Sequence, residues 1–407
     1  MPEAATANRL LSPDVIRGVA VMGILVANLP AFGLPEAAYF SPLAWGGTAP
    51  ADLFAWFVTF VFIEGKMRGL FSFLFGASIL LVTDAAERHG NSAAATHYRR
   101  MTTLFLIGCA HLYLIWLGDI LAHYALVGGI AFLFAGLSVR WLIATALLLL
   151  TYATISSALG AVILFDSAAQ DSPHAVAIWN SFAIAFGVPP RADMLAQIDA
   201  MRGSWADAVA WRWHHAADPL TVLPVLAPET LSAMLLGMAG YRTGFLTGAW
   251  SRARYRRWAA LCLGVALPAY ALLGIVTMRH GFAMPWVYLN AMVLAEPLRT
   301  LGFVGYAALL MLALRPGGSL TTRIAAIGRT AFSNYLGTSL LMVAVFNGCA
   351  LFGALSRAHL YLTAPPVWGL MLLWSKPWCD RFHHGPLEWL WRSAARGEWQ
   401  PMRRISG

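Results

Sequence analysis

The sequence predicts an all-α protein, a polytopic transmembrane helical bundle of about ten spanning helices with a broken second helix. Hydrophobic residues make up 59% of the 407-residue chain and charged residues only 12%, against about 25% charged residues in ordinary soluble domains. The apolar runs reach the roughly 20 residues that a spanning helix needs. The same long runs exclude a β-barrel, whose strands alternate over about 10 residues.

Ten apolar segments, bounded by Pro, Gly and Arg, are the candidate spanning helices. Threading them alternately through a bilayer places most arginines, Arg9 among them, on one face, which the positive-inside rule makes cytoplasmic together with both termini. We therefore expect a single transmembrane domain over residues 1–407 with a cytoplasmic tail at 381–407. The segments are 16–33, 52–82, 101–117, 119–138, 141–165, 224–241, 258–277, 291–314, 330–354 and 360–378.

Residues 166–223 are the only sizeable stretch predicted to lie outside the bilayer, on the periplasmic face. Helical periodicity within it predicts an amphipathic segment that lies along the membrane surface. The expected partner is therefore membrane lipid. No nucleic acid is expected despite the formal charge of +9, because the arginines form no basic stripe. The four cysteines stand singly without metal-ligand spacing, so no metal is expected.

Four polar residues interrupt the apolar run 108–129: His111, Asp119, His123 and Tyr124. An ionisable group at membrane depth costs several kcal/mol unless it faces a partner or a wet cavity. His111 and Asp119 would lie about 12 Å apart along one straight helix, whereas Asp119 and His123 are spaced to touch. A carboxylate orients an imidazole as a general base, so His111, Asp119 and His123 are candidate catalytic residues. A helix cap is the alternative role for Asp119.

The first two segments contain the candidate substrate-binding residues, to which Tyr124 is added. Asp14 and Arg17 are spaced to share a helix face, so Arg17 is a candidate binding residue, and a helix-start ion pair with Asp14 is the alternative. Asn28 precedes Pro30, where the helix must loosen, so Asn28 is expected to line a cavity.

The second segment is too long for one straight span and is expected to break at Glu64-Gly65-Lys66. Discontinuous helices of this kind line binding sites in transporters, so Glu64 and Lys66 are candidate binding residues. The alternative is an ion pair of Glu64 with Lys66 or Arg68 that only fixes packing.

Polar residues of the second half carry weaker signals. Glu229, Glu296 and Arg299 are each expected to act as helix caps or interfacial anchors. Arg329, Asn334 and Tyr335 are candidate donor-binding residues in a cytoplasmic anion-holding loop, and the stretch after His383 is an expected amphipathic foot.

No P-loop, GxGxxG, HExxH or GxSxG motif stands in a context that would confirm it. Five strings together resemble one family, the YeiB-like (DUF418) bacterial inner-membrane proteins. They are RLLSPDVIRGVAVMGILVAN at 9–28, EGKMRGLFSFLFGAS at 64–78, HLYLIWLGDILAHYAL at 111–126, GRTAFSNYLGTSLL at 328–341 and GPLEWLWR at 385–392. The resemblance covers nearly the whole chain and implies a multi-pass protein of the bacterial inner membrane.

The family is distantly similar to transmembrane acyltransferases, including heparan-glucosaminide N-acetyltransferase and the sugar O-acyltransferases. That wider resemblance implies transfer from a cytoplasmic acyl-CoA to a small-molecule or glycan acceptor at the outer face, through a histidine in the bundle. Where that relative places its catalytic histidine, this chain has Pro42. Either the chemistry has moved to His111 or His123, or this branch kept the fold and lost the reaction.

Three functions follow from these observations. The first is a membrane acyltransferase with a histidine base. The second is a transporter or permease with a midplane site at the broken helix; the absence of a hydropathy repeat between the two halves weighs against it. The third is a membrane protein without catalysis.

Overall fold

The structure, a computed structural model, describes residues 11–403. Arg9 and the two chain ends, on which the expectation of cytoplasmic termini depends, lie outside the described residues. Within 11–403 there is no β-strand, and the one isolated bridge joins Phe382 and Arg403. The all-α fold class is confirmed.

Eighteen α-helices make up the described part of the chain. They are α1 Leu11–Gly33, α2 Pro50–Phe62, α3 Lys66–Arg88, α4 Ala93–Leu114, α5 Leu121–Phe132, α6 Val139–Ala168, α7 Pro173–Phe186, α8 Arg191–Arg202, α9 Trp205–His215, α10 Leu223–Arg242, α11 Arg252–Arg279, α12 Met284–Tyr288, α13 Ala295–Ala313, α14 Ser319–Arg329, α15 Ala331–Val343, α16 Arg357–Tyr361, α17 Ala364–Arg381 and α18 Pro386–Arg396.

Every predicted span coincides with a helix or with two consecutive helices. Six helical stretches within 11–403 are long and apolar enough to cross a membrane: Leu11–Gly33, Pro50–Arg88, Val139–Ala168, Leu223–Arg242, Arg252–Arg279 and Met284–Ala313. The other four predicted spans correspond to α4, α5, α15 and α17, which fall short of those six in length or hydropathy. The chain is a helical membrane protein.

The second span breaks where the sequence predicts. α2 ends at Phe62 and α3 begins at Lys66, with Gly65 between them at φ 69°. That left-handed conformation is readily adopted by glycine. The side chain of Arg299 from α13 fills the space where a Cβ of Gly65 would stand, so the break is also a packing site.

α1 and α3 lie at the centre of the bundle. α1 packs against α14 and α3, α3 packs against α10 and α13, and α4 pairs with α5. α6 and α11 lie outside, with exposed apolar side chains such as Leu148, Leu159, Leu261 and Leu272. In a membrane protein such surfaces face lipid.

The predicted amphipathic segment contains α7, α8 and α9. α9 begins with a capping box in which Ser204 and Asp207 bond each other's backbone N–H groups. Arg212 on α9 is buried and donates to the carbonyls of Tyr113 and Leu114 at 3.2 and 2.9 Å. It thereby satisfies carbonyls at the end of α4 that have no partner within that helix. The periplasmic location of this segment stays a prediction.

Candidate functional site

His111 and Asp119 form a buried hydrogen-bonded pair between α4 and α5. His111 Nδ1 lies 2.7 Å from Asp119 Oδ1, and both side chains are 1% exposed. The other oxygen, Asp119 Oδ2, accepts the N–H of Ala122 at 2.9 Å. The same carboxylate therefore orients an imidazole and caps α5.

The pair forms because the helix ends between its members. α4 ends at Leu114, and a turn over 115–120 reverses the chain. A Cβ on Gly108 would collide with the backbone of Ala122, so glycine lets the two helices approach closely one turn before His111. Eight residues that would span about 12 Å in a helix are thus brought within one hydrogen bond.

Contacts from α1 and α15 hold this turn. Trp116 donates its Nε1–H to the carbonyl of Ala31 at 3.2 Å and stacks on Phe32 with ring centroids 4.0 Å apart. The N–H of Ile120 donates to Tyr335 Oη at 3.3 Å. The rings of Trp116 and Tyr335 lie 6.1 and 5.6 Å from the imidazole of His111. His111 Nε2 is buried and has no hydrogen-bond partner among residues 11–403.

The expected partnership of Asp119 with His123 is corrected by this geometry. Asp119 stands before the first residue of α5, outside the helical spacing that would join it to His123. His123 Nε2 instead lies 3.0 Å from Thr230 Oγ1 on α10. Of the two candidate histidines, His111 is the one that a carboxylate orients.

A second polar cluster surrounds the break between α2 and α3. Tyr39 donates to Glu64 Oε2 at 2.7 Å. Lys66 is fully buried, and its Nζ donates to the carbonyls of Phe60 and Glu64 at 3.2 and 3.3 Å. The same ammonium lies 3.1 Å from the centroid of the Tyr270 ring. The packing alternative of a Glu64–Lys66 side-chain pair is therefore replaced by carbonyl and cation–π contacts.

Glu229 and Arg299 complete this cluster from α10 and α13. Arg299 Nη1 lies 2.7 Å from Glu229 Oε1, and Arg299 Nη2 donates to the carbonyl of Ala291 at 2.5 Å. The expectation that both act as helix caps or interfacial anchors is wrong, because their side chains pair deep between helices. Sequence reasoning missed this pair; the signal was that each residue interrupts an apolar run.

Tyr124 connects the His111–Asp119 pair, the dyad, to the charged cluster around the break between α2 and α3. Its Oη lies 2.7 Å from Ser72 Oγ and donates to the carbonyl of Arg68 at 3.2 Å. Its neighbour His123 lies within electrostatic range of Arg68 and Glu229. Because Asp119 and Tyr124 lie at the same end of α5, both clusters belong to one polar region.

The candidates on α1 lie apart from this region. Arg17 Nη1 donates to Asp14 Oδ1 at 3.1 Å, which is the predicted helix-start pair, and its Nη2 donates to Ser78 at 3.0 Å. Asn28 is half-buried. A small cavity beside the break between α2 and α3 is lined on α1 by Ala27 and Pro30, which stand on either side of Asn28 in the sequence.

Two of the predicted donor-binding residues, Asn334 and Tyr335, lie on α15 and point to different neighbours. Asn334 donates to Thr330 Oγ1 and Ser375 Oγ at 2.9 and 3.2 Å and accepts from Trp374 at 2.9 Å, so its amide is fully used in packing α15 on α17. Tyr335 faces His111 instead. Successive helical residues point about 100° apart, so Asn334 and Tyr335 do not face one site. The donor-binding role of Arg329, Asn334 and Tyr335 stays a prediction.

Comparison with known proteins gives consistent matches. The family described as "Protein of unknown function (DUF418)" matches residues 240–398. The uncharacterized protein YeiB of Escherichia coli (strain K12) is 32% identical over 94% of this chain and 95% of its own length. The chain belongs to the YeiB-like DUF418 family. Another relative of this YeiB-like chain, the uncharacterized protein YxaH of Bacillus subtilis (strain 168), is 29% identical over 96% of this chain and 95% of its own.

The polar region of this YeiB-like protein draws on both halves of the chain. Arg299 and Tyr335 lie within the DUF418 match at 240–398, whereas His111 and Asp119 precede it. The clusters therefore form only when the two halves pack together. Among residues 11–403 no group of three or more His, Cys, Asp or Glu side chains is placed to hold a metal ion.

Two spaces adjoin the polar region. A cavity of about 20 Å³, lined by Tyr39, Glu64, Arg357 and Tyr361 among others, has room for one water. A groove of about 350 Å³ lies between α15, α17 and the start of α18, and its lining is mainly apolar. Asn334, Thr338 and Leu341 line it from the face of α15 adjacent to Tyr335.

Proposed function

We propose that this YeiB-like membrane protein transfers an acyl group to a hydroxyl or amine acceptor, with His111 as general base and Asp119 as the residue that orients it. One observation carries the proposal: the buried imidazole has a carboxylate at Nδ1 and, in the part of the chain that the structure describes, no hydrogen-bond partner at Nε2. Leaving a buried polar atom unpaired costs roughly 1–3 kcal/mol, and such atoms call for an explanation.

The chemistry follows from which ring nitrogen of His111 carries the proton. Asp119 holds the proton on Nδ1, so the lone pair of His111 lies on Nε2. Nε2 takes the proton of the acceptor as its oxygen or nitrogen attacks the carbonyl of a thioester donor. The carbon–sulfur bond then breaks, and the departing thiolate takes the proton from the imidazolium. Base and carboxylate end as they began.

The apolar groove supports a place for the donor's acyl group. Its lining of Leu341, Leu370 and Met371 suits an alkyl chain. α15 separates this groove from His111, because Asn334 faces the groove and Tyr335 faces the dyad. Transfer from the groove therefore requires α15 to shift, and an acyl-CoA is the donor that we propose.

The test measures release of coenzyme A from radiolabelled acetyl-CoA by the purified protein in nanodiscs. We expect release that His111→Ala abolishes. His97→Ala is the matched control, because His97 lies on the same helix, is equally buried and bonds the carbonyl of Gly128. Equal loss in both variants would mean that His111 matters only for folding. No donor binding or turnover by the wild type refutes the proposal.

Transport of a small solute is the second candidate, and the broken helix favours it. Glu64 and Lys66 lie at a discontinuity in a long apolar span, as in transporters that bind their substrates at membrane depth. Uptake into proteoliposomes that Glu64→Gln abolishes, with no coenzyme A release, would support transport over transfer.

A further inference from the structure

Arg68 differs from the other cations of the polar region. Lys66 and Arg299 are held by carbonyls, a ring and a carboxylate. In the part of the chain that the structure describes, the guanidinium of Arg68 makes no hydrogen bond or ion pair, although Glu64 and Glu229 lie within electrostatic range. Its five N–H donors are therefore free for another group.

The surface around Arg68 is accessible although it lies between helices. Glu229 on α10 lies within electrostatic range of Arg68, His123 and Arg299, on α3, α5 and α13, and 30% of its side chain is exposed. Arg68, Glu64, His123 and Thr230 are likewise only half-buried. Partial exposure of side chains from α3, α5 and α10 at one place indicates a cleft between these three helices.

Each of the two carboxylates near Arg68 has one oxygen that already has a partner. Tyr39 holds Glu64 Oε2, and Arg299 holds Glu229 Oε1. The second oxygen of each carboxylate remains to accept a hydrogen bond. His123 adds a buried Nδ1 that has no hydrogen-bond partner within the described residues. The cleft thus offers a planar cation with hydrogen-bond acceptors within electrostatic range of it.

We infer that this cleft binds a small organic acid, whose carboxylate or phosphate group pairs with Arg68 while its hydroxyl or ammonium donors meet Glu64 and Glu229. A guanidinium presents paired N–H groups that match both oxyanions, and few waters compete with the pair at this depth. The inference stands independently of acyl transfer, because binding needs no donor. If transfer also occurs, the acid is the acceptor.

The first test uses arginine-specific labelling of the wild-type protein in nanodiscs. Phenylglyoxal is expected to modify Arg68, and inorganic phosphate or lactate to slow that modification at least about fivefold relative to sodium chloride of equal ionic strength. Exposed Arg140 is the control whose labelling must not change. Whichever of the two anions protects identifies the oxyanion. Protection by neither, or equal protection of Arg140, overturns the inference.

The second test compares variants by thermal stabilisation with the protecting anion. Wild type and Arg140→Gln are expected to show the same saturable shift. Arg68→Lys keeps the charge but loses the paired geometry, so its apparent Kd should rise about tenfold, the size of one charge-assisted hydrogen bond. Arg68→Gln should show no shift. An unchanged Kd in Arg68→Lys, which preserves the charge and hence the fold, contradicts the assignment.

Discussion

Asp119 bonds His111 with one carboxylate oxygen and the backbone N–H of Ala122 with the other. Replacing Asp119 by alanine removes both contacts, whereas Asp119→Asn keeps an acceptor for one of them. We expect Asp119→Ala to lower the free energy of unfolding by about 3 kcal/mol, from one unsatisfied buried imidazole and one lost cap. Asp119→Asn should cost about half as much. Chemical denaturation in mixed micelles measures both, and equal losses would show that the cap is irrelevant.

Glu229 and Arg299 should be coupled energetically. Glu229→Gln or Arg299→Gln alone leaves one charge without its partner, and we expect each to cost about 2 kcal/mol, less than a fully buried pair because Glu229 is 30% exposed. The double variant should cost less than the sum of the two. The exposed pair Lys376–Asp380 is the control, with a coupling below about 0.5 kcal/mol. Strict additivity at Glu229 and Arg299 would contradict the prediction.

Gly65→Ala tests the helix break. Alanine would be held at a left-handed φ and would displace Arg299, so we expect a loss of about 2 kcal/mol or more. Gly369→Ala, within α17 and with open space around the added methyl, should instead gain about 0.5 kcal/mol. Thermal unfolding of the two variants in the same detergent measures both effects. Similar Tm changes for Gly65→Ala and Gly369→Ala would argue against a strained break.

Docking of the C-terminal helix α18 should weaken as pH rises. Glu388 accepts the N–H groups of Phe332 and Ser333 at 2.7 and 3.1 Å and contacts Ser333 Oγ, and burial raises the pKa of its carboxyl above the ordinary 4.5. The docked state therefore binds the proton more tightly, so docking is strongest below 4.5 and weakens as pH rises through the raised pKa. Hydrogen exchange of α18 across this window should depend on pH in the wild type. A dependence that persists in Glu388→Gln would point to another group.

The sequence predicted the fold well because spanning helices are encoded locally. Every apolar segment coincides with a helix or with two consecutive helices. The charged residues Glu64 and Lys66 on either side of Gly65 mark the break in the second span. Apolar runs of about 20 residues suffice for such assignments, because each spanning helix satisfies its backbone hydrogen bonds internally.

The candidate site could be predicted only in part. His111 and Asp119 were both singled out, but their pairing depends on where α4 ends and on the close approach at Gly108, neither of which periodicity encodes. Glu229 and Arg299 are 70 positions apart, so only the packing of α10 on α13 brings them together. Asn334 and Tyr335 show the converse, since these neighbours in sequence lie on different faces of α15.

The turn over 115–120 also has a consequence for biosynthesis. It is held by Ala31, by Arg212 through the end of α4 and by Tyr335, and chains emerge from the ribosome N-terminus first. More than two hundred further residues must therefore be synthesised after His111 before Tyr335 can complete its surroundings. In a nascent or truncated chain that lacks Tyr335, one of the contacts that hold the turn beside His111 is missing. Any reaction at His111 therefore begins only after the bundle has assembled.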